Sequence, residues 1–254
     1  MAGLVFGGQV KSYCAGARFE HILVESFQKD YLPRAVDPEV IAQNTRAIQE
    51  QLASLRLFDL ARGCPTNAGI LLLGSAPLDF LPGAYVQFVR FDGLALHDNI
   101  QDEKVISGNL LTQFQQLDHL LPVQIRTRRV PGAGLQHVEL PDYPLLALRE
   151  AVMNAIMHRT YEGTNAPVRI NWFSDRVEIQ NPGGLYGQVN QANYRQATDY
   201  RNPVIAEAMK VLGLVEKFGV GIARIEAALE KNGNPPPDFR FEPAHVLLTI
   251  RGLL

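Results

Sequence analysis

The stretch from Leu145 to Arg159, LLALREAVMNAIMHR, constrains the fold of this chain more than any other. Pro144 is placed to open a helix, because its fixed φ suits the first turn and its missing N–H is not needed there. Leu148, Val152 and Ile156 then recur one turn apart. A helix with such an apolar side must lay it on something, and a sheet is the natural support. On the other side Glu150, Asn154 and His158 fall at i, i+4 and i+8. At about 100° per residue they drift only ~80° around the axis, with successive members about 6 Å apart. They form one polar stripe, and water is the ordinary occupant of such a stripe.

The sheet follows at once. VRINWF and RVEIQ meet across Ser174 and Asp175, which reads as an antiparallel hairpin, and the second strand runs straight into Asn181-Pro182-Gly183-Gly184. Helices are expected over about Val204 to Leu212, stopped by Gly213, and Ile222 to Lys231, stopped by Gly233, with HVLLTIRG as a closing strand. A second glycine pair, Gly219 and Gly221 in EKFGVGIARI, opens the last helix. Glycine lets a backbone approach a ligand closely, and the free N–H groups of a helix N-terminus favour an anionic phosphate. Each feature alone is weak. Their order is what carries information, and it makes the second half of the chain a helix and antiparallel-strand mixture of the α+β class.

Upstream the signals thin out. Asp37 and Pro38 look like an N-cap and first helical residue, with one helix running to about Leu57. Ile70 to Leu73 and Tyr85 to Phe91 read as two strands, Leu110 to Leu121 as a short helix, and Ile125 to Val130 as a basic strand before the bend PGAG. A boundary is expected there, with a connecting α+β unit over 1–142 and a second domain over 143–254. At 254 residues, 46% hydrophobic and 20% charged, the chain can build a core without staples. Two cysteines, Cys14 and Cys64, make no disulfide framework or metal spacing, so a reducing, cytoplasmic setting is expected. The opening MAGLVFGGQV reads as a strand, far short of the ~20 apolar residues of a membrane span. A net charge of −2 builds no field for nucleic acid, and Arg126, Arg128 and Arg129 read as a solvated strand face.

Four segments, LREAVMNAIMHRTY, WFSDRVEIQNPGGL, YRNPVIAEAMKVLG and VEKFGVGIARI, resemble in order the signatures of the RecG-like carboxy-terminal domain of the GHKL ATPase type. That domain follows a Schlafen/AlbA-like domain in bacterial and archaeal transcriptional regulators. The resemblance spans roughly Tyr143 to Ile250, with a weaker likeness through PTNAGILLLG, PGAYVQFVRFDG and ISGNLLTQ. It implies a Bergerat-type α/β sandwich, a mixed and largely antiparallel sheet covered by helices on one face, and ATP with Mg²⁺ as ligands. Glu150 would polarise the attacking water and Asn154 would ligate magnesium. Asn181 stands where the family offers an aspartate to the adenine amine, with Gly183 and Gly184 beneath the base. An amide oxygen can accept the same bond without the strength that a charge adds. Gly219 and Gly221 match the glycines that wrap the phosphates. The segment with Tyr200, Arg201 and Asn202 corresponds to a lid, where Arg201 could meet a phosphate or cap the helix after Pro203. His158 matches a position near phosphate and also suits a structural role.

The function implied is an ATP-binding regulatory module of a bacterial transcriptional regulator, a weak ATPase at most. The alternative is a degenerate fold serving as a scaffold or dimerisation unit without nucleotide. A helicase is excluded for this polypeptide, since no G-x-x-x-x-G-K-[ST] phosphate loop is present, and no G-x-S-x-G or Cys/His signature suggests a hydrolase. DNA would be reached only through a missing or separate domain, no membrane is involved, and a homodimer is compatible with the residues. Whether the chain is a fragment or a shortened relative stays open.

Overall fold

Alternation in and out of a core is clearest in the hairpin after Gly163. In the computed structural model, which describes residues 13–131, 137–215 and 219–253, Val177, Ile179 and Asn181 point inward while Glu178 and Gln180 do not. The expected opening strand, most of the PGAG bend and Glu216 to Phe218 of the glycine motif lie outside the described residues.

The amino-terminal part is built of short turns: α1 (Val24–Ser26), α2 (Leu32–Ala35), α3 (Pro38–Ala42) and α4 (Ile48–Ser54). The single helix expected from Asp37 to Leu57 is therefore two. Asp37 caps the first, its Oδ1 accepting from Glu39 N at 2.9 Å. Asn44 then bonds the backbone of Arg46, turning the chain, and Glu50 starts a new helix by accepting from Ala47 N. A minimal ladder of β1 (Phe58–Asp59) and β2 (Cys64–Pro65) leads into α5 (Asn67–Leu73). This corrects the strand expected over Ile70 to Leu73. Thr66 caps the helix, and every residue from Asn67 to Leu73 is buried. A helix enclosed on all sides has no polar face, so its run of apolar residues carries no helical period.

The main sheet has six strands in the order β4-β3-β7-β8-β10-β9. They are β3 (Val86–Phe91), β4 (Ile100–Ile106), β7 (Val168–Trp172), β8 (Arg176–Pro182), β9 (Asp238–Phe241) and β10 (His245–Arg251). β3 pairs parallel with β7, and every other neighbour is antiparallel. β4 and β9, both edges, had no expected counterpart. β4 is largely exposed and carries the polar run Gln101 to Lys104, which suits a solvated edge. The sheet thus takes strands from both sides of residue 142. A separate exposed ribbon, β5 (Thr127–Pro131) with β6 (His137–Pro141), carries Arg128 and Arg129, as the basic-strand reading expects.

α7 (Leu145–His158) lies on this sheet, burying Leu148, Val152 and Ile156 in one core with Ile170, Trp172, Val177, Ile179 and Ile250. Packed about it are α6 (Leu110–Gln124), α8 (Pro203–Val211) and α9 (Gly221–Asn232). The other face of the sheet shows Gln87, Arg169, Asn171, Glu178 and Gln180, none of them buried. The result is a mixed, largely antiparallel α+β sandwich. Gly213 and Gly233 end α8 and α9 at φ +71° and +86°, the left-handed conformation that terminates helices. Among the described residues no helix is long and apolar enough to cross a membrane.

Candidate functional site

The polar stripe of α7 is turned toward a second helix and a cavity rather than the open surface. Glu150 is only 5% exposed. Opposite it begins α9, where a Cβ on Gly221 would stand 3.0 Å from Asn154 Nδ2 and 3.3 Å from both Asn154 Oδ1 and Glu150 Oε2. A side chain at this approach would have to push the ends of Asn154 and Glu150 aside, and glycine spares the two helices that shift. One turn on, Arg224 Nη1 lies 2.8 Å from Glu150 Oε1, a charge-assisted contact at a buried carboxylate. Arg224 escaped the sequence reading. Its signal was its place in the first turn of the helix that Gly221 opens, in register with the stripe of α7.

Beside this contact lies a cavity of about 180 Å³ between α7, the sheet, the segment 184–200 and the loop at 219–221. It gathers seven of the nine expected residues: Glu150, Asn154, His158, Asn181, Gly184, Gly219 and Gly221. Gly183 and Arg201 are not among its walls. The floor is made by Ile179, Asn181, Val246 and Leu248, and Asn181 sits opposite Val246 in the β8–β10 ladder. Asn181 as a whole is 8% exposed, its amide opens on the cavity, and among the described residues it makes no side-chain hydrogen bond. Tyr186, Tyr194, Tyr200, Phe239 and Phe241 add flat aromatic walls that sequence patterning did not reveal.

The glycines after Asn181 have structural reasons of their own. Gly183 adopts φ +96° and abuts Thr160 Oγ1, while its N–H donates to Ala244 O at 2.8 Å. A Cβ on Gly184 would stand 2.7 Å from Glu242 O and 2.9 Å from Pro243 O, so the backbone of the β9–β10 turn needs the space. Gly219, at φ +66°, abuts Thr198 of the segment over the cavity.

That segment is fastened shut. Arg201 Nη2 donates to Gly184 O at 2.9 Å and its Nε to His158 O at 3.3 Å, with the guanidinium 4.7 Å from the Tyr186 ring. Asn202 Nδ2 donates to Met157 O and Arg159 O, satisfying carbonyls that the end of α7 leaves open. Arg195 reaches Glu226 of α9 at 2.8 Å, and Tyr194 packs on Phe239 and Phe241. The Arg201 guanidinium is therefore engaged with backbone carbonyls, and neither of the roles expected for it, meeting a phosphate or capping the helix after Pro203, accounts for these contacts.

His158 stacks on Tyr200, the rings 5.8 Å apart and 10° from parallel. Burial first, and the Arg201 charge second, push its pKa down to about 4, so it is neutral near pH 7 and brings no positive charge to a phosphate. A cation that does line the cavity is Lys210 of α8, its Nζ 4.8 Å from the Tyr200 ring. Sequence reasoning missed it because it sits on a helix read only for its boundaries.

The arrangement fits a nucleotide in its donor set. An unpartnered amide and aromatic faces suit a flat base. A carboxylate, an amide oxygen and a glycine at the start of a helix suit phosphates with a magnesium ion, which takes few protein ligands and prefers oxygen.

With that geometry in hand, comparisons with known proteins place the chain. Residues 165–250 match the family model described as "Putative ATP-dependent DNA helicase recG C-terminal". The matched span contains Asn181, both glycine pairs and Arg201, and begins after α7. No curated protein matches the chain. Among solved structures, it is similar to the DIP2311 protein from Corynebacterium diphtheriae, at 25% identity and a TM-score of 0.72, over 97% of this chain and 48% of that one. The chain thus spans about half the length of that protein. From residue 165 to residue 250 it is similar to the carboxy-terminal region of RecG.

Proposed function

We propose that the cavity is an ATP site, and that the chain is a nucleotide-binding regulatory module rather than a metabolic enzyme. The single observation that supports this best is the convergence of three separate segments on one cavity: Glu150 and Asn154 from α7, Asn181 from the end of β8, and Gly219 and Gly221 before α9. Asn181 faces the base. Asn154 offers its side-chain oxygen to Mg²⁺ beside the phosphates. ATP itself supplies the bond whose hydrolysis Glu150 would promote by orienting water.

Arg224 holds Glu150 in the meantime. A carboxylate in a close ion pair is a poor base, so Arg224 has to turn from Glu150 toward the phosphates before Glu150 can serve, and turnover is slow. The lid from Leu185 to Tyr200 couples occupancy of the cavity to the surface. An attached or separate domain of a bacterial, cytoplasmic transcriptional regulator would read that change and contact DNA.

A second reading has an observation of its own. Gly221 packs on Asn154, and Arg224 pairs with Glu150, so protein groups already stand where phosphates would go. On that reading the fold is a scaffold or dimerisation unit without nucleotide.

Melting the protein with ATP, ADP and GTP, each with and without Mg²⁺, separates the two. At a ligand concentration of 100 times Kd, binding to the native state alone adds about 2.7 kcal/mol of stability. No shift with any nucleotide would leave the scaffold. If ATP binds, Glu150→Gln should keep its affinity within a few fold and slow phosphate release by roughly 10² to 10⁴.

A further inference from the structure

The floor of the cavity is apolar apart from one side chain. Ile179, Val246 and Leu248 surround Asn181, which is 8% exposed and makes no side-chain hydrogen bond among the described residues. Hydrophobic packing alone would be served better by another aliphatic residue, as at the neighbouring floor positions. The amide opens on the cavity with both its polar atoms uncommitted to protein, and its chemistry says what kind of ligand it suits. Its C=O accepts and its NH₂ donates, side by side in one plane. Flat walls from Tyr186, Tyr194 and Tyr200 suit a planar heterocycle, with ring stacking adding to the fit.

Resting on the reading of the cavity as a nucleotide site, we propose that Asn181 makes its base subsite accept 6-amino and 6-oxo purines alike. In one orientation Oδ1 accepts from the exocyclic amine of adenine while Nδ2 donates to the adjacent ring nitrogen, the bidentate pairing that amides make with adenine. After a half-turn of the amide, Nδ2 donates to O6 of guanine or hypoxanthine and Oδ1 accepts from the neighbouring ring N–H. No protein hydrogen bond locks Asn181 in either orientation among the described residues. A carboxylate at the same position could only accept. With adenine it keeps the bond from the amine but turns its second oxygen against the ring-nitrogen lone pair; with guanine or hypoxanthine it keeps the bond from the ring N–H but turns that oxygen against O6, so every base loses one of its two bonds.

The test is calorimetric binding of ADP, GDP and IDP to the parent and to Asn181→Asp, with far-ultraviolet circular dichroism to establish folding. The parent should bind all three within about tenfold of one another. IDP should follow GDP, since the 2-amino group plays no part. Asn181→Asp should weaken ADP and IDP by about ten- to a hundredfold, the range for one hydrogen bond replaced by a repulsive contact, and GDP least, because its ring N–H and 2-amino group can both donate to the carboxylate after a small shift of the base. A parent that binds ADP a hundredfold tighter than GDP and IDP overturns the inference and leaves the ATP site standing. A folded parent that binds none of the three overturns the nucleotide reading itself. Unchanged affinity for all three nucleotides in a folded Asn181→Asp would show that this residue does not face the base. Should the variant not fold, the three affinities of the parent decide the matter alone.

Discussion

The two ends of the cavity are built on opposite plans. At one end Asn181 is left without a partner among aliphatic and aromatic side chains. At the other, Glu150 is held by Arg224, and Asn154 lies against Gly221. Both ends hang on the same rigid pair of elements, α7 and the β8–β10 ladder, so the difference is not one of order. It lies in which polar groups the protein satisfies for itself. The first end is ready for a ligand and loses nothing when one arrives. The second is satisfied already, so a ligand there must offer Arg224 at least as good a partner as Glu150 and must move α9 or its leading loop. Recognition of a base and engagement of phosphates are thus separable steps, the second carrying the conformational change.

The largest effect expected is at Gly221. A valine there would drive its branches into Asn154 and Glu150, forcing α9 off α7. Gly221→Val should lose all nucleotide-dependent stabilisation, about 2.7 kcal/mol at 100 times Kd, and a further 1–3 kcal/mol of its own stability, roughly, from overpacking. Thermal melts with and without Mg²⁺ and ATP measure both. An unchanged ATP shift in a folded variant would break the contrast between the two ends.

Next comes Arg224. The Glu150 side chain is 6% exposed and that of Arg224 34%, so Arg224→Ala removes a close partner of a nearly buried carboxylate while solvent softens the loss. Roughly 2–3 kcal/mol of stability should go. The same change should weaken ATP more than adenosine, which has no phosphates for Arg224 to meet. A double-mutant cycle with Glu150→Gln sharpens the point, because Arg224→Ala should cost much less once the carboxylate is gone. Equal costs in both backgrounds would mean that the pair is not what holds this end.

The smallest effect is one of pH, and it belongs to the lid between the two ends. Unfolded, His158 takes up its proton near pH 6.5; folded, half-buried against Tyr200, only near pH 4. The unfolded chain therefore binds more protons in this window, and stability present above pH 6.5 is lost as pH falls toward 4. Between pH 8 and pH 5 the loss is about 2 kcal/mol, at 1.36 kcal/mol per pH unit of difference. His158→Phe, which keeps the stacked ring, should flatten the profile over that range. A parent whose melting temperature does not fall between pH 8 and pH 5 would show that His158 is not desolvated as described.

Legibility followed periodicity. α7, the β7–β8 hairpin, α8, α9 and β10 were readable because each is half-buried and so shows its period, and because Pro144, Gly213 and Gly233 punctuate them. α5 was not, since burial on every side erases the pattern that separates helix from strand. β4 was hidden for the opposite reason, being exposed on nearly every residue. In the cavity, residue types at motif spacing pointed to Glu150, Asn154 and Asn181, while Arg224 and Lys210 stood in helices whose facing was unknown until they were packed.

What the sequence determined alone was the order α7, β7, β8, α8, α9 and β10, without β9, and the fact that Glu150 and Asn154 share one helix face, both consequences of local geometry within a few residues. What only the tertiary structure decided was what that face meets. That Arg224 reaches Glu150, that Arg201 and Asn202 fasten the lid to the end of α7, and that β3 joins the sheet beside β7 all depend on contacts between segments 40 or more residues apart. Such contacts are settled by which arrangement buries the most apolar surface while leaving the fewest polar groups unpaired, a property of the whole chain that no local pattern encodes.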